Sequence, residues 1–208
     1  MWSDRVTTVA EMRMAVDVFV GERDWRRYHT PVNLASALVV EAAELLELFQ
    51  WRRDGDTVPD DVVRAAGEEL ADVLHYALAL ANATDAKLAI DGLTPWKAMK
   101  GEGMTFMSKP GEGARDGTAK RSAELVVSEA AVTLRVVRIC ELKEISPDWS
   151  IEGLPPELFD KAKAIDSLLG TVLAFAHLLG VDIARELEAK MRKNRKRFPV
   201  GSGPDVGY

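Results

Sequence analysis

Apolar positions recur along the chain at three- and four-residue spacing. No run alternates apolar and polar residues between hairpin turns, so the pattern predicts helices and no strands. An amphipathic helix is expected over 9–26. A second, NLASALVVEAAELLELFQW, is expected over 33–51, with Asn33 as its N-cap after Pro31. A third, over 60–84, starts at a capping Asp60 and holds EELADVLHYALALANA, with Gly67 as its one glycine and no proline. Further helices are expected over 122–144, 158–179 and 182–197, giving an all-α helical bundle. Residues 101–121 contain five glycines and Pro110 and read as a linker, 146–157 is rich in turn residues, and 200–208 reads as a tail.

Two helices carry acids where apolar residues belong. On a wheel of the second helix, Leu34, Leu38, Leu45, Leu48 and Phe49 mark the inward face, and Glu41 falls in its middle. Glu44 lies about 60° away at the edge of that face. The third helix is apolar nearly all round through Leu70, Val73, Leu74, Ala77, Leu78, Leu80 and Ala81, which marks it as central. Glu69 and Asp72 share one side of it, with Tyr76 a turn further on. A carboxylate facing a core is costly unless it is paired or binds metal. The two helices offer no cation on these faces, so four converging carboxylates point to a hard divalent ion. Mg²⁺, with Mn²⁺ as a substitute, takes oxygen ligands of this kind. A di-iron carboxylate site would need Glu-x-x-His pairs, and Asp72-x-x-His75 is the nearest approach. Ordinary surface acids on two amphipathic helices are the structural alternative.

Length and charge narrow the class. A chain of 208 residues holds one domain or two small ones. Its 27 basic and 33 acidic residues leave a net charge of −6, a poor start for a general nucleic-acid or anionic-membrane binder. The single Cys140 excludes an internal disulfide and a four-cysteine zinc site. The first residues have no apolar signal region, and no membrane span is expected, which sets a cytoplasmic location as the expectation.

Residues 10–85 and 182–199 carry a more specific pattern. Glu41-x-x-Glu44 is followed by Glu69-x-x-Asp72, and then by KMRKNRKRFP, with ERDW and FQW flanking the first pair. This set resembles the all-α nucleoside triphosphate pyrophosphohydrolases of the MazG-like superfamily, and within it the dCTP pyrophosphatase branch. The resemblance implies that Glu41, Glu44, Glu69 and Asp72 bind Mg²⁺ and that a (deoxy)nucleoside triphosphate, pyrimidine or modified, is cleaved to monophosphate and pyrophosphate in nucleotide-pool sanitation. Glu44 is the acid favoured by position as general base. Trp25 and Trp51 would stack on a base, His29 would meet base or phosphate, and Tyr76 the sugar. Lys190, Asn194 and Arg197, on one helical face, would contact phosphates. Each has a structural alternative: helix-end packing for the tryptophans, a turn cap for His29, core packing for Tyr76, and helix-dipole complementarity for the basic run. The six Lys and Arg of 190–197 also leave a nucleic-acid contact open, though none is expected. A non-catalytic nucleotide- or metal-binding helical protein is the competing function.

The two halves also resemble each other. EAAELLELF at 41–49 parallels EAAVTLRVV at 129–137, and 69–85 parallels 167–183. Glu129 matches Glu41, but Val132, Ser167 and Gly170 stand opposite the other three acids. The expected organisation is a fused pseudo-dimer: a catalytic half at 1–100, the linker at 101–121, a degenerate second half with the basic helix at 122–199, and the tail. Family members dimerise, so association into a homo-oligomer is a further expectation of the resemblance. Val16 and Val20 occupy positions where polar base contacts are expected, which puts dCTP specificity in doubt.

Overall fold

The computed structural model describes residues 1–53, 56–99, 118–145 and 160–201. Its helices are α1 (Val9–Glu22), α2 (Pro31–Glu47), α3 (Asp60–Ala83), the single-turn α4 (Pro95–Ala98), α5 (Ala119–Ile145), α6 (Lys161–Leu179) and α7 (Ile183–Arg197). No strand occurs among the described residues, and the fold is all-α as expected.

Local chemistry sets the helix ends, and several of them differ from the expectation. α1 opens with a capping box: Thr8 accepts from the Glu11 backbone N–H, and Glu11 accepts from that of Thr8. It closes at Glu22 instead of 26. Asp24 takes the left-handed conformation (φ 55°), and Trp25–Arg27 form a 3₁₀ turn. Asp is one of the few side chains that tolerate this conformation. At α2 the cap is Thr30 and Pro31 is the first helical residue, where its missing N–H costs nothing. Asn33 lies inside the first turn, its backbone N–H held by Thr30 Oγ1 and its side chain donating to Tyr28 O. At α3 the cap is Pro59, and Asp60 sits in the first turn, where its charge favours the helix dipole.

α3 is the central helix. Leu70, Val73, Leu74, Ala77, Leu78, Leu80 and Ala81 are all buried, and α1, α2, α6 and α7 pack around it. Gly67 marks the tight approach of α7: a Cβ there would lie 3.3 Å from Val181 Cγ1. The α5–α6 hairpin packs on α2 and α3, with Phe49 and Phe175 in ring contact at 5.5 Å. One continuous core joins Leu38 and Leu74 to Val126, Leu168 and Leu187. α6 is long and apolar enough to cross a membrane by length and composition alone. In the bundle it packs between α3 and α5, with 56% of that stretch buried.

α7, the last helix of the 122–199 segment, lies on α3 and α1. Asp4 fastens its start by accepting from the Ile183 and Ala184 backbone N–H groups. Arg23 fastens its end by donating to Phe198 O at 2.7 Å. Of the expected linker, 118–121 are described, and 119–121 already belong to α5. The rest of 101–121, the 146–157 turns and 202–208 lie outside the described residues.

Candidate active site

The acids converge. Glu41 from α2 and Glu69 and Asp72 from α3 offer carboxylate oxygens that all lie within 4.8 Å of one another. Glu44, a turn beyond Glu41, is exposed at the rim, and its charge acts on all three. Burial pushes the Glu41 carboxyl up to about 7, reinforced by repulsion from Asp72, Glu44 and Glu69. Glu69 is raised by burial and then by Asp72 and Glu44. Asp72 is also raised by burial, against the pull of Lys190, whose ammonium donates to Asp72 Oδ2.

That lysine comes from α7, 118 residues away in sequence, and not from α2 or α3. A second pair, Lys193 Nζ to Glu68 Oε2 at 3.1 Å, ties the same two helices at the surface. One ammonium does not balance this cluster, and the carboxyls it faces stay raised. An all-oxygen donor set of this density fits a hard divalent cation.

Two of the acids, Glu41 and Asp72, lie in the wall of a cavity of about 700 Å³. Glu41, Asp72, His75, Tyr76 and Lys190 line it together with Asn194 and Arg197 from the last turn of α7. Its aromatic side is built from Phe19, Trp25, Tyr28, His29 and Phe198. The left-handed Asp24 and the 3₁₀ turn that follows bring the Trp25 indole against Phe19 at 5.6 Å and Phe198 at 5.2 Å, both edge-on. Arg23 is the bracket behind this arrangement, with its guanidinium 3.9 Å over the Phe19 ring and its Nε on Phe198 O. His29 is held below its ordinary pKa by burial, and it also lines a smaller cavity of about 170 Å³ with Asp17, Val20, Arg26 and Asn82.

The structure therefore brings together Trp25, His29, Tyr76, Lys190, Asn194 and Arg197 with Glu41 and Asp72. Trp51 is not brought to them. It follows the end of α2, is 88% exposed and is absent from the cavity wall. Because α2 ends at Glu47 and not at 51, the tryptophan leaves the helical face that would have aimed it inward. Val16 is fully buried in the core, and Val20 borders the smaller cavity. Sequence reasoning missed Phe19, Phe198, Arg23 and the place of His75 in the wall. The signal for His75 was present: it is the lone imidazole in an apolar helix, three residues after Asp72.

An all-helical bundle with a carboxylate cluster in an aromatic and basic cavity defines a class of helical carboxylate site suited to a phosphorylated, ring-bearing ligand. Comparison with known proteins makes this particular. A 78-residue segment is 49% identical to dCTP pyrophosphatase 1 of Homo sapiens, and 47% identical to that of Rattus norvegicus and of Mus musculus. The segment is 36% of this chain and 46% of each relative, so the chain spans about half the length of the curated relatives it matches. Over that segment the chain is a homologue of dCTP pyrophosphatase 1, in keeping with the MazG-like dCTP pyrophosphatase branch. No protein-family model and no solved structure matches the chain.

Proposed function

We propose that the protein is a Mg²⁺-dependent nucleoside triphosphate pyrophosphohydrolase acting on a pyrimidine (deoxy)nucleotide, such as dCTP, dUTP or a modified relative, in nucleotide-pool sanitation. The observation that carries this reading is the convergence of Glu41, Glu69 and Asp72, two of which, Glu41 and Asp72, line a cavity that also holds aromatic and basic walls. The homology to dCTP pyrophosphatase 1 supports the reaction class.

Glu41, Glu69 and Asp72 would hold the ion, with Glu44 at the open edge. Bound there, Mg²⁺ supplies neutralisation of triphosphate charge and a water of lowered pKa. The ammonium of Lys190 and the guanidinium of Arg197 bind phosphate oxygens, and the Asn194 amide orients them. Glu44, least enclosed of the acids, accepts the proton of the water that attacks the α-phosphate. Trp25 and His29 border the base, and Tyr76 the sugar. The α5–α6 hairpin acts as a fused structural partner, since Val132, Ser167 and Gly170 stand where the first half has acids.

The test is a nucleotide panel with Mg²⁺ in which pyrophosphate and orthophosphate are separated. Monophosphate plus pyrophosphate from one or a few nucleotides supports the proposal, and alanine at Glu41 or Asp72 abolishes that turnover. Turnover that survives either substitution overturns it. The Lys190–Asp72 ion pair favours one competing reading, a binding protein whose own lysine stands in for the metal. Nucleotide binding without turnover is its signature.

A further inference from the structure

The proposed mechanism leaves one buried group unused. His75 is 7% exposed and lies in the cavity wall, and its Nδ1 is enclosed with no hydrogen-bond partner. The Trp25 indole Nε1, in the same wall, is also enclosed and unpartnered. Most buried polar atoms in folded proteins are satisfied, and an unsatisfied one in a cavity wall gains a bond when a ligand fills the cavity. Both rings line the same wall, and each enclosed nitrogen meets a ligand there once its ring turns toward the cavity.

Their surroundings say which part of a ligand meets them. Phe19 stands edge-on to both rings, 6.0 Å from His75 and 5.6 Å from Trp25, and Tyr76 is edge-on to His75 at 5.8 Å. Flat, ring-shaped ligands suit such walls, whereas phosphates suit the Lys190 and Arg197 side. Along α3, His75 stands one turn beyond the metal-facing Asp72 and one turn before Ala79, which lines the smaller cavity. His29 borders both cavities, so the line from Asp72 through His75 leads away from the phosphate end toward the nucleoside end.

We infer that His75 is a specificity-determining residue, its imidazole hydrogen-bonding the polar edge of the nucleobase alongside the Trp25 indole N–H; this rests on the nucleotide reading above. A neutral imidazole offers one donor and one acceptor, and the indole offers a donor only. Burial, with lesser contributions from His29 and Lys190, pushes the His75 pKa down to about 4, so the ring is neutral at physiological pH. Together the two rings match a base edge that carries a carbonyl beside a second polar atom, as pyrimidines do. A site built to hydrogen-bond its ligand rejects analogues lacking that group more strongly than an apolar pocket does.

The test is calorimetric binding of the five α,β-methylene nucleoside triphosphates bearing C, U, T, A and G, with Mg²⁺, to the full chain and to His75→Leu. The wild type is expected to bind one base about tenfold or more tighter than the poorest, and His75→Leu to bring the ratio within about threefold above pH 6.5, where the protonation of His75 does not alter melting. His75→Asn, which keeps a polar atom, is expected to retain part of the preference. Should both variants fail to fold, the ¹⁵N resonances of the wild-type imidazole decide, and they are expected to shift on binding of the preferred analogue. A preference that survives His75→Leu, equal binding of all five bases by the wild type, or unmoved imidazole resonances would each overturn the inference. Selective binding without hydrolysis of the parent triphosphates sinks the proposed activity and leaves the role of His75 standing. Equal hydrolysis of all five does the reverse.

Discussion

Glu41 carries a strong electrostatic signature, and its sign can be followed through pH. Its carboxyl is raised from 4.5 to about 7, so between those values the folded state holds a proton that the unfolded state has lost. Its contribution therefore favours folding below pH 4.5 and is lost as pH rises through about 7. His75 works in the opposite sense. Its pKa falls from 6.5 to about 4, so its contribution is full above 6.5 and is lost as pH falls through about 4. Metal-free Glu41→Gln is expected to gain stability over wild type as pH rises from 4.5 to 7, and His75→Leu to gain it as pH falls from 6.5 to 4. Melting temperatures of each variant minus wild type across this range check both slopes. Lys190 gives a second prediction at this scale. Lys190→Ala is expected to raise KM for the triphosphate about tenfold or more, as a charge-assisted phosphate contact is lost, and steady-state kinetics at saturating Mg²⁺ measure it. The acids were legible in the sequence because each broke an apolar face. Lys190 was legible as part of a basic helical face expected to contact phosphates, but its pairing with Asp72 was not, since that partner lies on a helix distant in sequence.

At the scale of the elements, local chemistry decides what the sequence reveals. The capping box of α1 is written in four adjacent residues, and Thr8→Ala is expected to cost about 1 kcal/mol in chemical denaturation. α3 was placed nearly to the residue because its all-round apolar surface has one stable location, the centre. α2 was placed with an error at each end. Thr30 and Asn33 are both competent caps, and Pro31 settles the choice only once it is taken as the first helical residue. At the other end the run of apolar residues continues past Glu47, so periodicity alone carried the helix on to Trp51. The turn at Asp24–Arg27 was not legible either. Its conformation is held by Arg23 reaching to Phe198, and that is a tertiary contact.

At the scale of the molecule, the packed α2 and α3 helices and the α5–α6 hairpin share one core, so the two hairpins are expected to unfold together. Phe175→Ala, although it lies in α6 and outside the candidate site, is expected to cost about 3–5 kcal/mol and to lower a single thermal transition. Calorimetry checks this: two resolved transitions would mean that the hairpins are separate units. The internal similarity of 41–49 to 129–137 made the second hairpin visible in the sequence. Periodicity left no trace of where α7 docks; only the resemblance carried the expectation that Lys190, Asn194 and Arg197 meet the phosphates at the acids.

That return has a consequence in time. Asp72 meets Lys190 across 118 residues, and Trp2 meets Glu188 across 186. During synthesis the crowded carboxylates leave the ribosome long before the helix that carries their lysine. Until α7 emerges, those carboxylates lack the ammonium that pairs with Asp72 in the folded chain. Contacts this distant in sequence also slow folding. If the proposed divalent ion binds these acids, it supplies counter-charge from solution before that helix has formed, and the metal then aids folding as well as turnover.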